Sequence, residues 1–415
     1  MKIRIRKRYL FYVLAFASSI IVAFNSGLDV FTQRDIPNPW ALGIACFILA
    51  VIISFLITLI LSIKYKDKTL GARTVDPSFR GIKLISKKEL APHLLAGLGN
   101  AMLTIGYFFL LDIMSGDVSV VLPFSQIVIL YLVIIESFNE KNAPTLIEIQ
   151  SAVIVTFGAI LGSIGLQGRI DPLALAIVFL VINPGWVLIS IYQRKLKMMK
   201  IKDKQNDAIN IRLWNATFAC LFTLIIVFAY DIINGSNNII EGLNSTIKYY
   251  YWVAIIAVFT FFSFVFYIRA LGIGKASVTQ AVKASVIIFS IPVSIVLGYI
   301  GLADPFTTDP VLLLIKIMGI VLIMLGIISF ALTLTKAYIF IKKKPGVSIE
   351  KIMNDLWKIK GVDRVTAVAG DYDFIIKIRT RTLVKGYERI LTKIEEVPGI
   401  KEYKWQSVLK EWEDI

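Results

Sequence analysis

The sequence predicts an all-α polytopic membrane bundle of ten helices, arranged as a 5+5 inverted repeat, followed by a C-terminal α/β ferredoxin-like (βαββαβ) domain. Three observations predict this fold class: the overall apolarity, the length of the apolar runs, and the placement of basic residues. The chain is 57% hydrophobic with a mean hydropathy of +0.73, whereas soluble domains are about 45–50% apolar. Lipid as the solvent accommodates this excess, because a helix in lipid can be apolar on every face.

The predicted spans are apolar runs that can each cross a hydrocarbon core of about 30 Å. They lie near 9–25, 41–63, 94–114, 118–137, 146–166, 172–193, 211–232, 250–272, 278–300 and 310–333. Lys and Arg gather in alternate loops, while the intervening loops carry only Arg34, Arg169 and Lys248. This asymmetry predicts a multi-pass protein of the cell (plasma) membrane with its N-terminus and C-terminal domain in the cytoplasm. The net charge of +16 is therefore interpreted as a signal of membrane orientation, and we expect no nucleic-acid partner.

A weak internal repeat divides the spans. The segment 116–120 (GDVSV) lies between the third and fourth spans, and 274–278 (GKASV) lies between the eighth and ninth. Each half holds five spans, and an odd number inverts the second copy, which is a common plan of secondary transporters. The predicted domains are therefore a first repeat (1–166), a second repeat (167–335) and a cytoplasmic domain (336–415).

The last residues switch from long apolar runs to short alternating elements. The pattern predicts strands at 337–342, 363–368, 372–379 and 400–409, with a helix capped by Ser348 after the first strand and another capped by Thr382 after the third. This order of elements predicts the ferredoxin-like sandwich.

Residues for enzyme chemistry are sparse. The chain has one histidine, His93, and two cysteines, Cys46 and Cys220, which lie inside apolar runs. We find no nucleophile set, P-loop or zinc-ligand spacing. We therefore expect no metal, no cofactor and no enzymatic activity.

Polar residues inside the spans are the candidate substrate-binding residues, because polar groups at membrane depth favour a cavity over lipid. The alternative is hydrogen bonding between helices without a ligand. The candidates are Asn100, Tyr107, Gln126, Asn183, Trp186, Tyr267, Gln280 and Lys283.

Two of these candidates carry a more specific hypothesis. Asn183-Pro184-Gly185 interrupts the sixth span, so we expect a kink that either exposes carbonyls to a solute or only satisfies packing. Lys283 lies inside the ninth span, where it either binds an anionic group such as a carboxylate or extends to the membrane interface.

The helical part resembles the drug/metabolite transporter superfamily, EamA type. The resemblance covers most of 9–333, and its best pieces are 106–108 (GYF) running into 119–123 (SVVLP), and 267–271 (YIRAL) running into 277–281 (SVTQA). It implies that the third, fourth, sixth, eighth and ninth spans line a central cavity for a small-molecule solute.

The tail resembles the effector-binding (RAM) domain of Lrp/AsnC regulators, through 361–362 (GV), 365–373 (VTAVAGDYD) and 398–400 (PGI). The resemblance implies an amino-acid effector, with Gly370, Asp371, Tyr372 and Asp373 as effector-binding residues, and a homodimer formed through the tail. A hairpin turn whose aspartates bind their own backbone is the alternative for these four residues.

Together these features predict a secondary transporter of small organic solutes such as amino acids or metabolites, expected to export, with a cytoplasmic ligand-sensing domain. The alternatives are a non-transporting membrane receptor or signalling protein, a tail that only dimerises, and a bundle that flips lipid or polyprenyl carriers.

Overall fold

The computed structural model describes residues 7–113, 122, 125–140, 146–162, 172–201, 204–301, 309–332, 334–359, 361–381 and 386–407. By internal packing the chain divides into two units, one of 1–132 with 155–324 and the other of 133–154 with 325–415. The expectations for 116–120 and for Thr382 lie outside the described residues.

The helices of the apolar part follow one another with short connections. They are α1 (Lys7–Asp35), α2 (Pro39–Ser62), α3 (Leu70–Thr74), α4 (Lys87–Ile113), α5 (Val128–Glu140) after a 3₁₀ turn at Ser125–Ile127, α6 (Leu146–Gly162), α7 (Pro172–Met198), α8 (Ala208–Asn234), α9 (Asn238–Lys248), α10 (Tyr250–Leu271), α11 (Ala276–Lys283), α12 (Val286–Tyr299) and α13 (Pro310–Leu332). Two-stranded hairpins follow α2, with β1 (Lys64–Tyr65) and β2 (Lys68–Thr69), and α7, with β3 (Lys200–Ile201) and β4 (Lys204–Gln205).

Six of the described helices are long and apolar enough to cross a membrane, as expected of a membrane protein. These six are α1, α2, α4, α7, α8 and α10, and shorter apolar helices lie within the other predicted spans. Helix boundaries differ from the sequence prediction at one informative place. Helix α1 continues ten residues beyond the predicted end at residue 25. The hydroxyls of Ser26 and Thr32 donate to the carbonyls of Val22 and Leu28, so polar residues extend this helix without leaving their groups unbonded.

Helix α7 contains the interruption expected at Asn183-Pro184-Gly185. A π-helical turn, Val178–Ile182, precedes the proline, and the side-chain Nδ2 of Asn183 donates to the carbonyl of Val178 at 2.8 Å. Wider helical turns of this kind commonly mark places where the regular ladder of hydrogen bonds is broken. The amide of Asn183 therefore bonds within its own helix.

Helices α4 and α7 approach each other at a pair of glycines. A Cβ atom on Gly99 would lie 2.6 Å from the carbonyl oxygen of Gly185, and one on Gly185 would lie 2.7 Å from that of Gly99. Real side chains do not reach such separations, so both positions require glycine for the two backbones to touch. This contact fixes the spacing of the two helices that carry Asn100 and Trp186.

The tail forms a small antiparallel sheet covered by two helices. Its elements are β5 (Leu334–Lys343), α14 (Ile349–Trp357), β6 (Val362–Ala367), β7 (Phe374–Arg381), α15 (Gly386–Glu395) and β8 (Ile400–Ser407), with strand order β6-β7-β5-β8. Ile339 of β5 pairs with Ile376 of β7 and Trp405 of β8. Ile339 and Ile376 share a buried core with Leu356 of α14 and Ile394 of α15. Ser348 lies at the N-cap position of α14, but its side chain makes no capping bond there.

Replacing Gly99 with alanine tests the close approach of α4 and α7. The added methyl group must displace the backbone of α7, and overpacking of this kind costs about 1–3 kcal/mol. We expect Gly99→Ala to lower the thermal unfolding midpoint of the purified protein in detergent. Gly43→Ala is the matched control, because its Cβ would meet side-chain atoms only at 3.9–4.0 Å. Equal midpoints for the two variants would contradict the glycine contact.

Candidate functional site

A cavity of about 150 Å³ lies among the helices of the larger unit. It is lined by residues of α1, α2, α4, α7, α8, α10 and α11, together with residues from the 3₁₀ turn and the start of α12. At roughly 30 Å³ per water, it has room for about five waters or one small solute. Asp, Lys and Arg side chains contribute to the lining at three described positions: Asp29, Arg212 and Lys283. Charged groups at this depth are energetically expensive, and they therefore point to a binding or transport role.

Lys283 lies at the end of α11 inside a cage of aromatic rings. Its Nζ is 3.8 Å from the ring centre of Trp186, 4.4 Å from that of Tyr267 and 5.8 Å from that of Phe264. The side chain is buried, and no carboxylate pairs with it among the described residues. Cation–π contact stabilises a desolvated ammonium group by about 2 kcal/mol, which offsets only part of the desolvation cost. The cage therefore holds a cation that can still accept an anionic partner.

Arg212 supplies a second buried cation. Its guanidinium carbon lies 4.5 Å from the ring centre of Phe264, the residue that also faces Lys283. Its Nη1 donates to Oδ1 of Asn215 at 3.4 Å, and the same oxygen accepts a bond from Nδ2 of Asn100 at 3.0 Å. The Nε of Arg212 is buried without a hydrogen-bond partner in the structure. Arg212 thus has unused donor capacity at the cavity wall.

Asp29 lines the cavity farther along α1. Its carboxylate accepts two long hydrogen bonds from Nδ2 of Asn25, at 3.4 and 3.5 Å. The hydroxyl of Ser19 donates to the backbone carbonyl of Lys283, so α1 passes Lys283 ten residues before Asp29. At about 1.5 Å per residue these positions are roughly 15 Å apart along the helix. The cavity wall therefore carries its acid and its two cations at separate places.

Five of the eight candidates predicted from the sequence line this cavity: Asn100, Tyr107, Gln126, Trp186 and Lys283. Tyr267 contributes its ring to the Lys283 cage, while its hydroxyl lies 2.6 Å from Oγ of Ser190. Gln280 donates to the same Ser190 oxygen at 3.4 Å, and Asn183 bonds within α7. Gln280 and Asn183 are thus used in contacts between or within helices. A binding role for any of the eight stays a prediction.

Sequence reasoning did not select Asp29 or Arg212. The predicted first span ends at residue 25, before Asp29, and Arg212, the second residue of the predicted seventh span, is counted with the basic residues of the preceding loop. In the structure α1 extends to Asp35 and α8 begins at Ala208, so both residues lie inside helices and are buried. A single acid or arginine within a few residues of an apolar run was the available signal, because helices can continue beyond the window that hydropathy defines.

A buried polar network joins two loops at one end of this unit. Nζ of Lys197, at the end of α7, lies 2.7 Å from Oδ2 of Asp76 in the loop between α3 and α4. The same ammonium donates to the carbonyl of Asn206 at 2.8 Å, and the amide of Ala208 donates to Asp76. Burial raises the pKa of Asp76, but Lys197 and these amides outweigh it and hold that pKa below its ordinary value. The pair is therefore ionised, and we call Asp76 and Lys197 the loop ion pair.

The predicted effector residues of the tail occupy the connection between β6 and β7. Oδ2 of Asp373 accepts from the backbone amide of Lys343 at 2.8 Å, so this aspartate holds two strands together. Gly370 has φ +154, a conformation that favours glycine. The ring of Tyr372 packs against Phe340, with centroids 5.4 Å apart, and the Asp371 side chain is exposed. Of the two aspartates among these four residues, Asp371 is therefore the one whose carboxylate is exposed to solvent.

Comparison with known proteins identifies the tail. Residues 336–414 match the family model of the Lrp/AsnC ligand binding domain, which confirms the Lrp/AsnC expectation for this part of the chain. No curated protein matches the chain. A solved structure described only as "Crystal structure of protein" aligns with 75% of this chain and 96% of its own, at 14% identity and a TM-score of 0.41. That TM-score does not define a shared fold.

Lys283 is expected to lower the stability of the protein in which it is buried. An ion buried without a partner carries an effective desolvation penalty of several kcal/mol, which an apolar side chain of similar volume does not carry. We expect Lys283→Met to raise the thermal unfolding midpoint in detergent. Lys248→Met, at an exposed lysine that also lies over an aromatic ring, should leave it unchanged. A lower midpoint for Lys283→Met would contradict this expectation and would show that the ammonium group stabilises the fold.

Proposed function

We propose that the chain is a secondary transporter, acting as an exporter, of small organic solutes that carry an anionic group, such as amino acids or other metabolites. One observation carries this proposal: Lys283 and Arg212 are buried at a cavity wall among apolar helices, and no carboxylate neutralises Lys283 within the described residues. A carboxylate or similar anion would form charge-assisted hydrogen bonds with buried cations of this kind.

The wider architecture in this proposal is a ten-span bundle of two inverted five-span repeats in the cell membrane. Its support is the agreement of ten apolar runs with helical segments, six of which are long enough to span. In this proposal the side that carries the basic loops faces the cytoplasm, as the positive-inside rule predicts. The proposed mechanism is rocking of the two halves around the cavity, with no covalent chemistry, no cofactor and no nucleic acid.

The cavity chemistry favours a polar solute with an apolar portion. Trp186 and Phe264 present ring faces beside the two cations, and Asn100 with Gln126 supplies amide groups. Asp29 adds a carboxylate at another part of the wall, which suits a solute that also carries an amino group. An amino acid or an apolar organic acid meets the anionic and the apolar demand, but the amino group of an α-amino acid lies too close to its carboxylate to reach Asp29 while the carboxylate is bound at Lys283.

Solute counterflow in proteoliposomes tests the transport proposal. Vesicles loaded with organic acids or amino acids should exchange labelled solute, and Lys283→Met should raise the KM for an anionic solute by about 10–100-fold, because a hydrogen bond to a charged group contributes about 1.5–3 kcal/mol. The amide analogue of the same solute should lose little. Lys248→Met should behave as the unchanged protein.

A receptor or signalling protein whose bundle moves nothing is the alternative. It predicts binding of the solute in detergent with no exchange by any member of the panel. Flipping of a lipid or polyprenyl carrier predicts instead that exchange is seen only with lipid-linked compounds. The absence of counterflow for every solute would overturn the transporter proposal.

We further propose that the tail is a cytoplasmic ligand-sensing domain whose effector biases the transport equilibrium. The Lrp/AsnC match supports ligand binding, and the strand order β6-β7-β5-β8 with two helices agrees with a ferredoxin-like fold. Dimerisation through the tail is compatible with this role, and a tail that only dimerises is the alternative.

Titration calorimetry of the full-length protein against the amino acids tests the sensing role. We expect saturable binding that Asp371→Asn weakens several-fold, because it removes an exposed charge beside Tyr372. Asp355→Asn, at a half-exposed aspartate of α14, is the control. Binding by no amino acid, together with a molar mass by light scattering that depends on the tail, would assign the tail to dimerisation.

A further inference from the structure

Helix α7 carries a line of buried polar residues that the cavity uses only in part. The residues are Asn183, Trp186, Ser190, Gln193 and Lys197, all largely or wholly buried. Their spacing alternates between three and four, so they lie on one face of the helix. We call this line the α7 stripe. At about 1.5 Å per residue it extends for roughly 21 Å.

The two ends of the α7 stripe differ in character. Trp186 lines the cavity and faces Lys283, whereas Lys197 forms the loop ion pair with Asp76. Contacts of Lys197 with the Gly272 position and of Phe11 with the Gly274 position place the start of α1 and the end of α10 at the same end as this pair. The cavity, lined by α1 residues such as Val22 and Asp29, lies farther from that end.

Ser190 and Gln193 occupy the interval between cavity and ion pair. Ser190 is bonded to Tyr267 and Gln280 of the facing helices. Gln193 is wholly buried, and neither its Nε2 nor its Oε1 has a hydrogen-bond partner in the structure. A buried amide without partners is costly, and it does not hold helices together as a bonded side chain would. A polar group of a solute that moves along the helix would supply the hydrogen bonds that the Gln193 amide lacks.

The loop ion pair lies at the end of the α7 stripe that is next to the loops. Asp76 and Lys197 are both buried, and Arg269 of α10 donates to the backbone carbonyl of Val75, next to Asp76. Apolar residues pack beside this closure, among them Phe79, Leu196 and Ile268. This end is therefore sealed by charge and by packing, while the cavity lies beyond Trp186.

We propose that the α7 stripe is the closed half of the solute path, in which Gln193 is a transit site for uncharged polar groups of the solute and the loop ion pair is the gate at the basic, cytoplasmic end. The inference rests on the proposed transport function. It adds the route by which the solute reaches the cavity and the contacts that must break. When the gate opens, the donor and acceptor of Gln193 become accessible to water.

Thiol accessibility tests the gate without any knowledge of the solute. In a background of Cys46→Ala with Cys220→Ala, Gln193→Cys is exposed to a membrane-impermeant thiol reagent in inside-out vesicles. We expect slow labelling with the ion pair intact. With Asp76→Asn and Lys197→Gln together, which leave no unpaired buried charge, labelling should be at least about tenfold faster, which corresponds to a shift of about 1.4 kcal/mol in the opening equilibrium.

Two controls separate opening of the path from general loosening. Ile189→Cys lies on α7 at a wholly buried position outside the stripe, and its labelling should stay slow in both gate backgrounds. Asp355→Asn with Lys358→Gln removes an exposed ion pair of the tail and should not accelerate labelling of Gln193→Cys. If the gate variant does not fold, Asp76→Leu with Lys197→Met replaces the pair by apolar side chains.

The outcomes decide the path and the transport function separately. Gated labelling of Gln193→Cys alone supports the path. Equal labelling with and without the ion pair, or equal acceleration at Ile189→Cys, overturns it. Counterflow without gated labelling overturns the proposed path but not the transport function. Gated labelling without counterflow of any solute shows that the bundle opens at the ion pair, and it overturns the transport function.

Discussion

The burial of Lys283 and Arg212 away from water is the constraint on which the functional part of the structure depends. In a medium of low polarity a cation without an anionic partner raises the free energy of the fold, and packed aromatic faces recover only part of that cost. Trp186, Phe264 and Tyr267 surround Lys283 for this reason. The same imbalance is the basis of the proposal that the cavity binds an anion, because the groups that weaken the empty protein are the ones an anion would neutralise.

Backbone geometry places these groups. The reciprocal contact of Gly99 and Gly185 brings α4 and α7 together, and the π-helical turn before Pro184 lets α7 continue through a residue that donates no backbone hydrogen bond. Downstream of that turn, the helix aims Trp186 at Lys283 and Lys197 at Asp76. One helix therefore links the cavity to the closed end, and a change of its tilt would act on both.

The fold of the tail depends instead on a hydrophobic core. Its isoleucine-rich strands form a core with α14 and α15, and alternation along Ala337, Ile339 and Ile341 turns one face of β5 inward. Short-range patterns are strong in such a domain, which is why strand and helix positions in the tail follow the predicted order closely. The function of Asp373 was less visible, because its bond to the amide of Lys343 joins residues thirty apart in the chain.

Hydropathy, loop charges and short motifs by themselves determined the apolar bundle, the Lrp/AsnC tail and several cavity residues, among them Lys283 and Trp186. These features depend on composition and local periodicity, which the chain carries in every conformation. The depth of Asp29 and Arg212, the glycine contact of α4 with α7, and the pairing of Lys197 with Asp76 came only from the tertiary structure. Each of these depends on which helices meet, and a sequence window does not contain both partners of contacts such as Gly99 with Gly185 or Asp76 with Lys197.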